Sequence, residues 1–227
     1  MAICAVRCSR ELANGLVLAP ERYDPRRDLS RRYDDVVSLS ALVQVAHSTI
    51  HPTSDSQVRA CVVLDTSDAR EGVIIGRKEP ILISELGSSK KVVESGDVIV
   101  SRLRPYLRQV AFVDQALCER FSEALILCST EFYVLRSCSE ERISFLVPYL
   151  LSDAVQSALA ASQEGGHHPR FNEVTLTSLP VPKDLLSKKD LISDAVERAV
   201  ALYRESERSL QELVYEATRF LDGRGQG

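Results

Sequence analysis

The sequence contains no long apolar segment and no apparent export signal. None of its apolar runs approaches the ~20 residues that a transmembrane helix needs. Near the N-terminus, Arg7, Arg10, Glu11 and Asn14 interrupt any apolar stretch that could serve as a signal peptide. With 44% hydrophobic and 26% charged residues, the composition is typical of a globular protein. We therefore expect a cytoplasmic protein with no membrane partner.

Paired cysteines are also missing. The 6 cysteines, at positions 4, 8, 61, 118, 128 and 138, include no Cys-x-x-Cys pair. A chain of 227 residues can bury a sufficient core without disulfide bonds, so we expect free thiols. His167 and His168 precede Pro169, but no acidic or cysteine ligand stands at a useful spacing from them. We therefore predict a loop there and no metal site.

Positive charge is not in excess on either side of Pro182. The formal net charge is −4, with 20 Lys and Arg against 23 Asp and Glu up to Pro182, and 8 against 9 beyond it. A monomeric protein that binds DNA without regard to sequence is usually basic. Any nucleic-acid surface must therefore be a local patch, with the acidic residues elsewhere.

Motifs of common catalytic sites are absent. There is no Gly-rich phosphate loop before Lys-Ser/Thr, no Gly-x-Ser-x-Gly and no His-Glu-x-x-His. The Asn/Asp-Pro-Pro-Tyr/Phe tetrad of adenine methyltransferases and a nuclease Asp…Glu-x-Lys core are missing too. We expect that the chain catalyses no reaction and binds no cofactor of its own.

The residues from Val36 to about Val134 have the pattern of a β-rich domain. Short β-branched runs alternate with turn residues, which favours a curled or mixed sheet over a parallel α/β repeat. The predicted strands cover residues 61–64, 73–75, 81–83, 91–93, 98–101, 109–113, 124–127 and 132–135. Residues 143–163 then have helical periodicity and end at Gly165-Gly166. The sequence thus predicts an α+β domain over 1–182, with Leu179-Pro-Val-Pro182 as its boundary.

A long helix is predicted beyond this boundary. It runs from about Ser187 to Asp222, about 54 Å at 1.5 Å per residue, and 223–227 is expected to be a disordered tail. Apolar or small residues recur at steps of 4 and 3, a heptad pattern typical of a coiled coil. Pairing with another long helix and packing along its own domain are both possible, and pairing is favoured. The predicted pairing residues are Ile192, Val196, Ala199, Tyr203, Leu210, Leu213, Ala217 and Phe220, with Ser206 between them.

The segment Gly96-Asp-Val-Ile-Val-Ser-Arg-Leu-Arg-Pro-Tyr-Leu-Arg-Gln-Val-Ala-Phe-Val113 is the most informative part of the chain. A bend around Pro105 separates two apolar strands and carries Arg102, Arg104, Tyr106 and Arg108. Rigid β structure that holds such side chains suits contacts to phosphates and base edges. The alternative is an ordinary hairpin with solvated arginines, one of them a structural ion-pair partner.

The order of these features resembles one family. A β-rich domain with this turn, a late helix, a Gly-x-x-x-Pro-Arg loop and a Leu-Pro-Val-Pro exit into a heptad helix is similar to the DNA specificity (S) subunit of type I restriction–modification systems. Full-length specificity subunits carry two recognition domains, each followed by a long helix. This chain has one of each and no internal repeat, so it resembles a half-subunit.

The resemblance implies a partner for each part of the chain. The domain would lie over the major groove of double-stranded DNA. The helix would set the distance between half-sites, pair with a second copy or another specificity chain, and dock adenine methyltransferase subunits, which bind S-adenosylmethionine; a translocating nuclease subunit can join them. The predicted DNA contacts are Arg77, Lys78, Ser88, Lys90, Lys91, Arg102, Arg104, Tyr106, Arg108, His167, His168 and Arg170.

Two other interpretations remain open at this point. The first is a scaffold or adaptor that dimerises through its helix without binding nucleic acid, which the acidic balance favours. The second is a nuclease that uses His167, His168 and a distant carboxylate.

Overall fold

The computed structural model describes Asp24, Leu29 and residues 32–53, 59–76, 78–164 and 169–223. Within these ranges the chain forms a β-rich domain followed by a long helix, the predicted α+β arrangement. The strands are β1 Val36–Ser38, β2 Val43–Ala46, β3 Thr49–Ile50, β4 Ala60–Leu64, β5 Ala69–Arg70, β6 Val73–Ile74, β7 Ile81–Leu82, β8 Lys90–Val92, β9 Val98–Ser101, β10 Val110–Phe112, β11 Leu125–Cys128, β12 Phe132–Ser137 and β13 Pro180–Pro182.

The helices are fewer and, with one exception, short. Polar side chains begin three of them: Asp114 before α1, Ser152 before α3 and Asn172 before α4 each accept a hydrogen bond from a backbone N–H of the first turn. The helices are α1 Gln115–Arg120, α2 Leu146–Leu151, α3 Asp153–Ala161, α4 Glu173–Thr177, α5 Lys183–Leu186 and α6 Lys189–Gly223. Short 3-10 turns lie at Leu39–Ala41, Thr66–Asp68, Ile83–Glu85 and Pro105–Leu107.

An antiparallel sheet of order β10-β9-β12-β2 is buried on both faces. Side chains of a strand alternate between the two faces, so Val98 and Val100 of β9 enter one core while Ile99 enters another. The first core is shared with α2, α3 and the beginning of α6. This explains why β9 is an uninterrupted apolar run, with Val98–Ser101 all buried.

A second sheet, of order β3-β8-β11-β4-β7, covers the other core. Its β11 and β4 are parallel neighbours, and the remaining pairs are antiparallel. Ile126 and Cys128 of β11 face the core between the sheets, whereas Leu127 faces a smaller cluster with Cys61 and Ile83. The predicted mixed sheet is therefore present as two stacked layers.

All 8 predicted strands occur within two residues of their expected bounds. The periodic segment 143–163 is not one helix, because Ser152 is extended (φ −62°, ψ 144°) and separates α2 from α3. The proline-rich exit is itself a strand: β13 pairs with β1, and Val181 is fully buried. Because β1 and β13 pair only with each other, the missing proline N–H groups are tolerated there.

The first half of α6 is attached to the domain. Ile192 and Val196 pack against the first core, and Val200 is almost fully buried in it. Polar contacts add to this packing: Arg142 Nη1 lies 2.6 Å from an Asp194 carboxylate oxygen. The first half of α6 therefore has a defined position on the domain, and the second half extends beyond the domain.

Every helix in the ranges given above is too short or too polar to cross a membrane.

Candidate nucleic-acid interface

The Pro105 loop (residues 102–109) joins β9 to β10 through one 3-10 turn at Pro105–Leu107. Arg104 and Arg108 flank this turn with φ of +43° and +51°, in the left-handed region. A residue other than glycine adopts that conformation at a cost of about 1–2 kcal/mol. The loop accepts it because Leu107 N donates to Arg104 O at 2.9 Å and Arg108 N donates to Pro105 O at 2.8 Å. The loop therefore presents its side chains in a fixed geometry.

The tip of the Pro105 loop points to solvent. Tyr106 is 69% exposed and Arg104 is also exposed, whereas Pro105 between them is buried. The Arg104 side chain makes no hydrogen bond or ion pair with the described residues. Its five N–H donors are thus available to an external acceptor.

Arg102 and Arg170 bind the same carboxylate, that of Glu131. Arg102 Nε donates to Glu131 at 2.8 Å, and Arg170 donates from Nε and Nη2 to the two carboxylate oxygens at 2.9 and 2.7 Å. The hydrogen bonds from Arg170, with those from Arg102, lower the pKa of Glu131 to about 2 against its burial. These three residues form the Glu131 cluster. One carboxylate between two guanidinium groups leaves a net positive charge on this surface.

The backbone brings the Glu131 cluster together from three distant segments. Arg102 N donates to Glu131 O at 3.0 Å, which extends the β9–β12 pairing by one residue. Phe171 N donates to Arg102 O at 3.3 Å, and Leu103 bridges to Arg170. The cluster therefore lies at one end of the two central strands of the four-stranded sheet and directly precedes the exposed tip of the Pro105 loop.

Lys91 adds a further cation beside the cluster. Its Nζ donates to Phe132 O at 2.7 Å and lies 5.5 Å from the centre of the Tyr133 ring. Burial lowers the pKa of Lys91, and the charge of Arg102 acts in the same direction, which places these two cations near each other. Tyr133 is held in turn by a 3.0 Å hydrogen bond from its hydroxyl to Phe171 O.

Other predicted DNA contacts are paired within the chain. Arg108 donates to Leu151 O at 3.1 Å and forms an ion pair with Asp153, so it joins the Pro105 loop to the α2–α3 junction. Lys78 Nζ lies 2.6 Å from Asp68. These contacts agree with the alternative in which an arginine near Pro105 is a structural ion-pair partner. Lys90 Nζ donates to Ser88 Oγ at 2.8 Å; Ser88 lies in a loop, and Lys90 is the first residue of β8, one residue before the predicted strand.

Three predicted contacts, Arg77, His167 and His168, lie outside the described residues.

Sequence reasoning missed Glu131. It occupies a short turn before β12, 39 residues before Arg170, and its local sequence resembles any polar turn. Only the weak rule that a cation-rich surface needs carboxylate partners could have suggested such a residue, and that rule does not identify which carboxylate.

The predicted pairing residues fall into two groups along α6. Ile192 and Val196 already pack against their own domain, and Tyr203 is half-buried. The others, Ala199, Leu210, Leu213, Ala217 and Phe220, are exposed, as is Ser206. The beginning of the stripe therefore packs along its own domain, as one interpretation of the helix expected, and the end of the stripe is exposed.

No protein-family model and no curated protein matches this sequence. Solved structures do. One is a chain from a structure on the complex assembly and conformational transition of the type I R-M system, with a TM-score of 0.54 and 25% identity over 80% of this chain and 47% of that chain. Another is the HsdS subunit from Thermoanaerobacter tengcongensis, with a TM-score of 0.51 and 25% identity over 78% of this chain and 46% of that chain.

The predicted resemblance to type I specificity subunits is confirmed for the fold. The chain spans about half the length of the structures that it matches.

Proposed function

We propose that this chain is a non-catalytic DNA specificity subunit that contributes one recognition domain and one spacer helix to a type I restriction–modification or methylation-linked defence complex. The observation that carries the proposal is the likeness in fold. It covers four fifths of this chain but less than half of each matched structure. One domain and one helix are what half of a two-domain specificity subunit would contain.

The DNA-facing surface in this proposal is the tip of the Pro105 loop with the Glu131 cluster and Lys91 behind it. Arg104 is free to pair with a guanine edge, because its donors are uncommitted and its backbone is fixed. Arg102 and Arg170 keep one net positive charge next to it, and Lys91 adds another. Such an arrangement suits base contact at the tip and phosphate contact behind it.

The uncovered end of α6 would supply the remaining partners. A second copy, or a different specificity chain, would pair with it to give two recognition domains and a bipartite target. Identical chains make a two-fold symmetric dimer, so their target would be palindromic. Adenine methyltransferase subunits would dock along the paired helices and bind S-adenosylmethionine, and a translocating nuclease subunit can join.

The test selects the sequences that the protein binds from a pool of random DNA duplexes. The protein is used as it co-purifies with its partner methyltransferase subunits. A bipartite palindrome with a fixed spacer is the expected result for a self-paired half-subunit. An asymmetric bipartite motif would mean that a second, different recognition chain is present. If no sequence is enriched, the proposal is wrong.

One observation favours a scaffold or adaptor as the second candidate. Arg102, Arg108, Arg170 and Lys78 are all engaged by carboxylates of their own chain, and the formal net charge is −4. The same selection separates the two functions, because a scaffold that does not contact DNA enriches no sequence.

A further inference from the structure

Arg204 on α6 contacts two other elements of the structure and a neighbour on its own helix. It binds Asp114 through Nη2 at 2.8 Å and through Nε at 3.1 Å, and its Nη1 donates to Ile74 O at 2.7 Å. Nη1 also lies 3.0 Å from Glu207, one turn further along the helix. Both side chains of the Arg204–Asp114 pair are only 10% exposed. A buried charge needs this degree of pairing, because desolvation of an unpaired ion is costly.

The Asp114 carboxylate has a second function in the same place. Its Oδ1 accepts a hydrogen bond from Leu117 N at 3.0 Å and so begins α1. Ile74 ends β6 on the neighbouring small sheet. Arg204 therefore connects the long helix to a helix N-terminus and to a strand end at once.

Arg204 is also the last residue of α6 that is bound to the domain through a buried contact. Contacts before it include Val200 in the core and the Arg142–Asp194 ion pair. From Arg208 to Asp222 every residue except Gln211 is exposed. The helix beyond Arg204 is therefore a mostly exposed rod, which still lies beside α1 as far as Gln211, since Arg208 and Gln211 line a groove with that helix.

Because this rod is long, a small change of angle at its attachment point displaces its tip by a large distance. The 18 residues that follow Arg204, up to Asp222, would extend about 27 Å at 1.5 Å per residue. A tilt of about 10° at the attachment point would move the tip by about 5 Å, which exceeds the ~3.4 Å rise of one base pair.

From these contacts we infer that Arg204 is the positioning residue that sets the angle between α6 and the recognition domain, and through it the distance between two DNA half-sites. The inference rests on the proposed function for its DNA consequence. The angle itself is a property of the protein alone and can be measured without DNA.

The first experiment measures this angle in the full-length protein. Spin labels are placed through non-natural amino acids at the exposed positions Glu140 and Arg219, and labelled chains are diluted with unlabelled ones so that only distances within one chain contribute. In Arg204→Met the distance distribution should broaden about two-fold, as expected for a loosened hinge. Arg208→Met is the control, since it removes the same charge from an exposed position one turn later. An unchanged distribution in Arg204→Met would overturn the inference.

The second experiment measures spacer preference. The wild-type chain, co-purified with its methyltransferase, is compared with the variants on duplexes that carry the selected half-sites with spacers one or two base pairs longer or shorter. The wild type should prefer its own spacer about ten-fold or more, and Arg204→Met should bind all spacers within about three-fold of one another.

The two experiments separate failure of the inference from failure of the proposed function. If Arg204→Met keeps the wild-type spacer preference, Arg204 does not set the spacing, although the DNA function stands. If the wild type selects no DNA at all, the proposed function fails, and the spin-label distances still decide whether Arg204 sets the angle.

Should Arg204→Met not fold, Arg204→Lys replaces it in both assays. Lysine retains the charge but cannot make the two-point contact, so an intermediate broadening is expected.

Discussion

Arg102 and Arg104 lie two residues apart, and their surroundings give them different roles. Arg102 directs its Nε to Glu131 and is half-buried, whereas Arg104 is exposed at the left-handed entry to the Pro105 turn. A guanidinium that is already bound to a carboxylate has fewer donors for a base edge. At the scale of single residues, Arg104 is therefore the candidate for base contact. Arg102 is instead part of the ion-paired surface beside it.

If Arg104 reads a guanine, as proposed, Arg104→Ala should weaken binding to the selected DNA by about 1–3 kcal/mol and relax the preference at one base position, because the bidentate contact would be lost. Repeating the sequence selection and measuring binding by fluorescence anisotropy would show both effects. Arg198→Ala, which removes an exposed arginine from α6, is the control and should leave the motif unchanged. An unaltered motif and affinity in Arg104→Ala would disprove the assignment.

Glu131→Gln should lower the free energy of unfolding at pH 7 by about 1–2 kcal/mol, since two guanidinium groups lose a charged acceptor. The pKa of Glu131 falls from 4.5 to about 2 on folding, so its ion pairs stabilise the native state above pH 4.5 and are lost as the pH decreases towards 2. Urea unfolding at a series of pH values in this range measures the effect, and the variant should lack this part of the acid dependence.

Glu140→Gln removes an exposed carboxylate elsewhere in the domain and is the matched control. It should keep the wild-type acid dependence. If Glu131→Gln shows the same dependence as this control, the Glu131 cluster does not contribute to stability.

At the scale of elements, α6 has an attached half and a projecting half with different surfaces. The attached half uses Val200 and its polar neighbours to bind the domain. The projecting half exposes Leu210, Leu213, Phe220 and Leu221, each at least 59% exposed. At 100° per residue these side chains share one face, a pattern that in water favours pairing with another apolar helix face.

The double substitution Leu210→Glu/Leu213→Glu should convert a self-associated chain to monomers while the domain remains folded, because charges would replace the centre of the apolar face. Sedimentation at micromolar concentration, with circular dichroism as a check of folding, measures the change. Tyr215→Glu introduces one such negative charge on the opposite face of this helix, where Tyr215 is 69% exposed, and should leave association intact. Equal effects of both variants would exclude this face as the pairing surface.

At the scale of the whole molecule, charge limits what one chain can do with DNA. The formal net charge is −4, and Arg108 and Lys78 are neutralised internally by Asp153 and Asp68. Each phosphate that a protein neutralises contributes about −0.9 to the slope of log affinity against log salt. If the chain is a recognition domain as proposed, its net negative charge means that partner subunits would supply most of the phosphate contacts.

We expect the chain alone to bind its selected duplex with a salt slope of about −3, and the complex with methyltransferase to show a clearly steeper slope. Fluorescence anisotropy between about 50 and 200 mM salt would measure both slopes. If the slope of the chain alone is already as steep as that of the complex, the phosphate contacts belong to this chain and the argument from charge is wrong.

The sequence by itself determined eight of the strands, the long helix and the order of the parts. Short β-branched runs predicted most of the strands because one or both of their faces are buried, as in β9, and the heptad pattern predicted α6 because its apolar face repeats with the helical period. The resemblance to specificity subunits followed from local motifs in their order along the chain. These features depend on neighbours in the sequence, and therefore the sequence shows them directly.

Only the tertiary structure decided which charged side chains are free. Arg102, Arg104 and Arg108 share one loop, yet Glu131 binds the first, Asp153 the last, and none of the described residues binds the second. Arg204 likewise finds Asp114, 90 residues away, only after the helix has packed on the domain. Ion pairs form between residues that folding brings within about 4 Å, and spacing along the chain does not encode that distance.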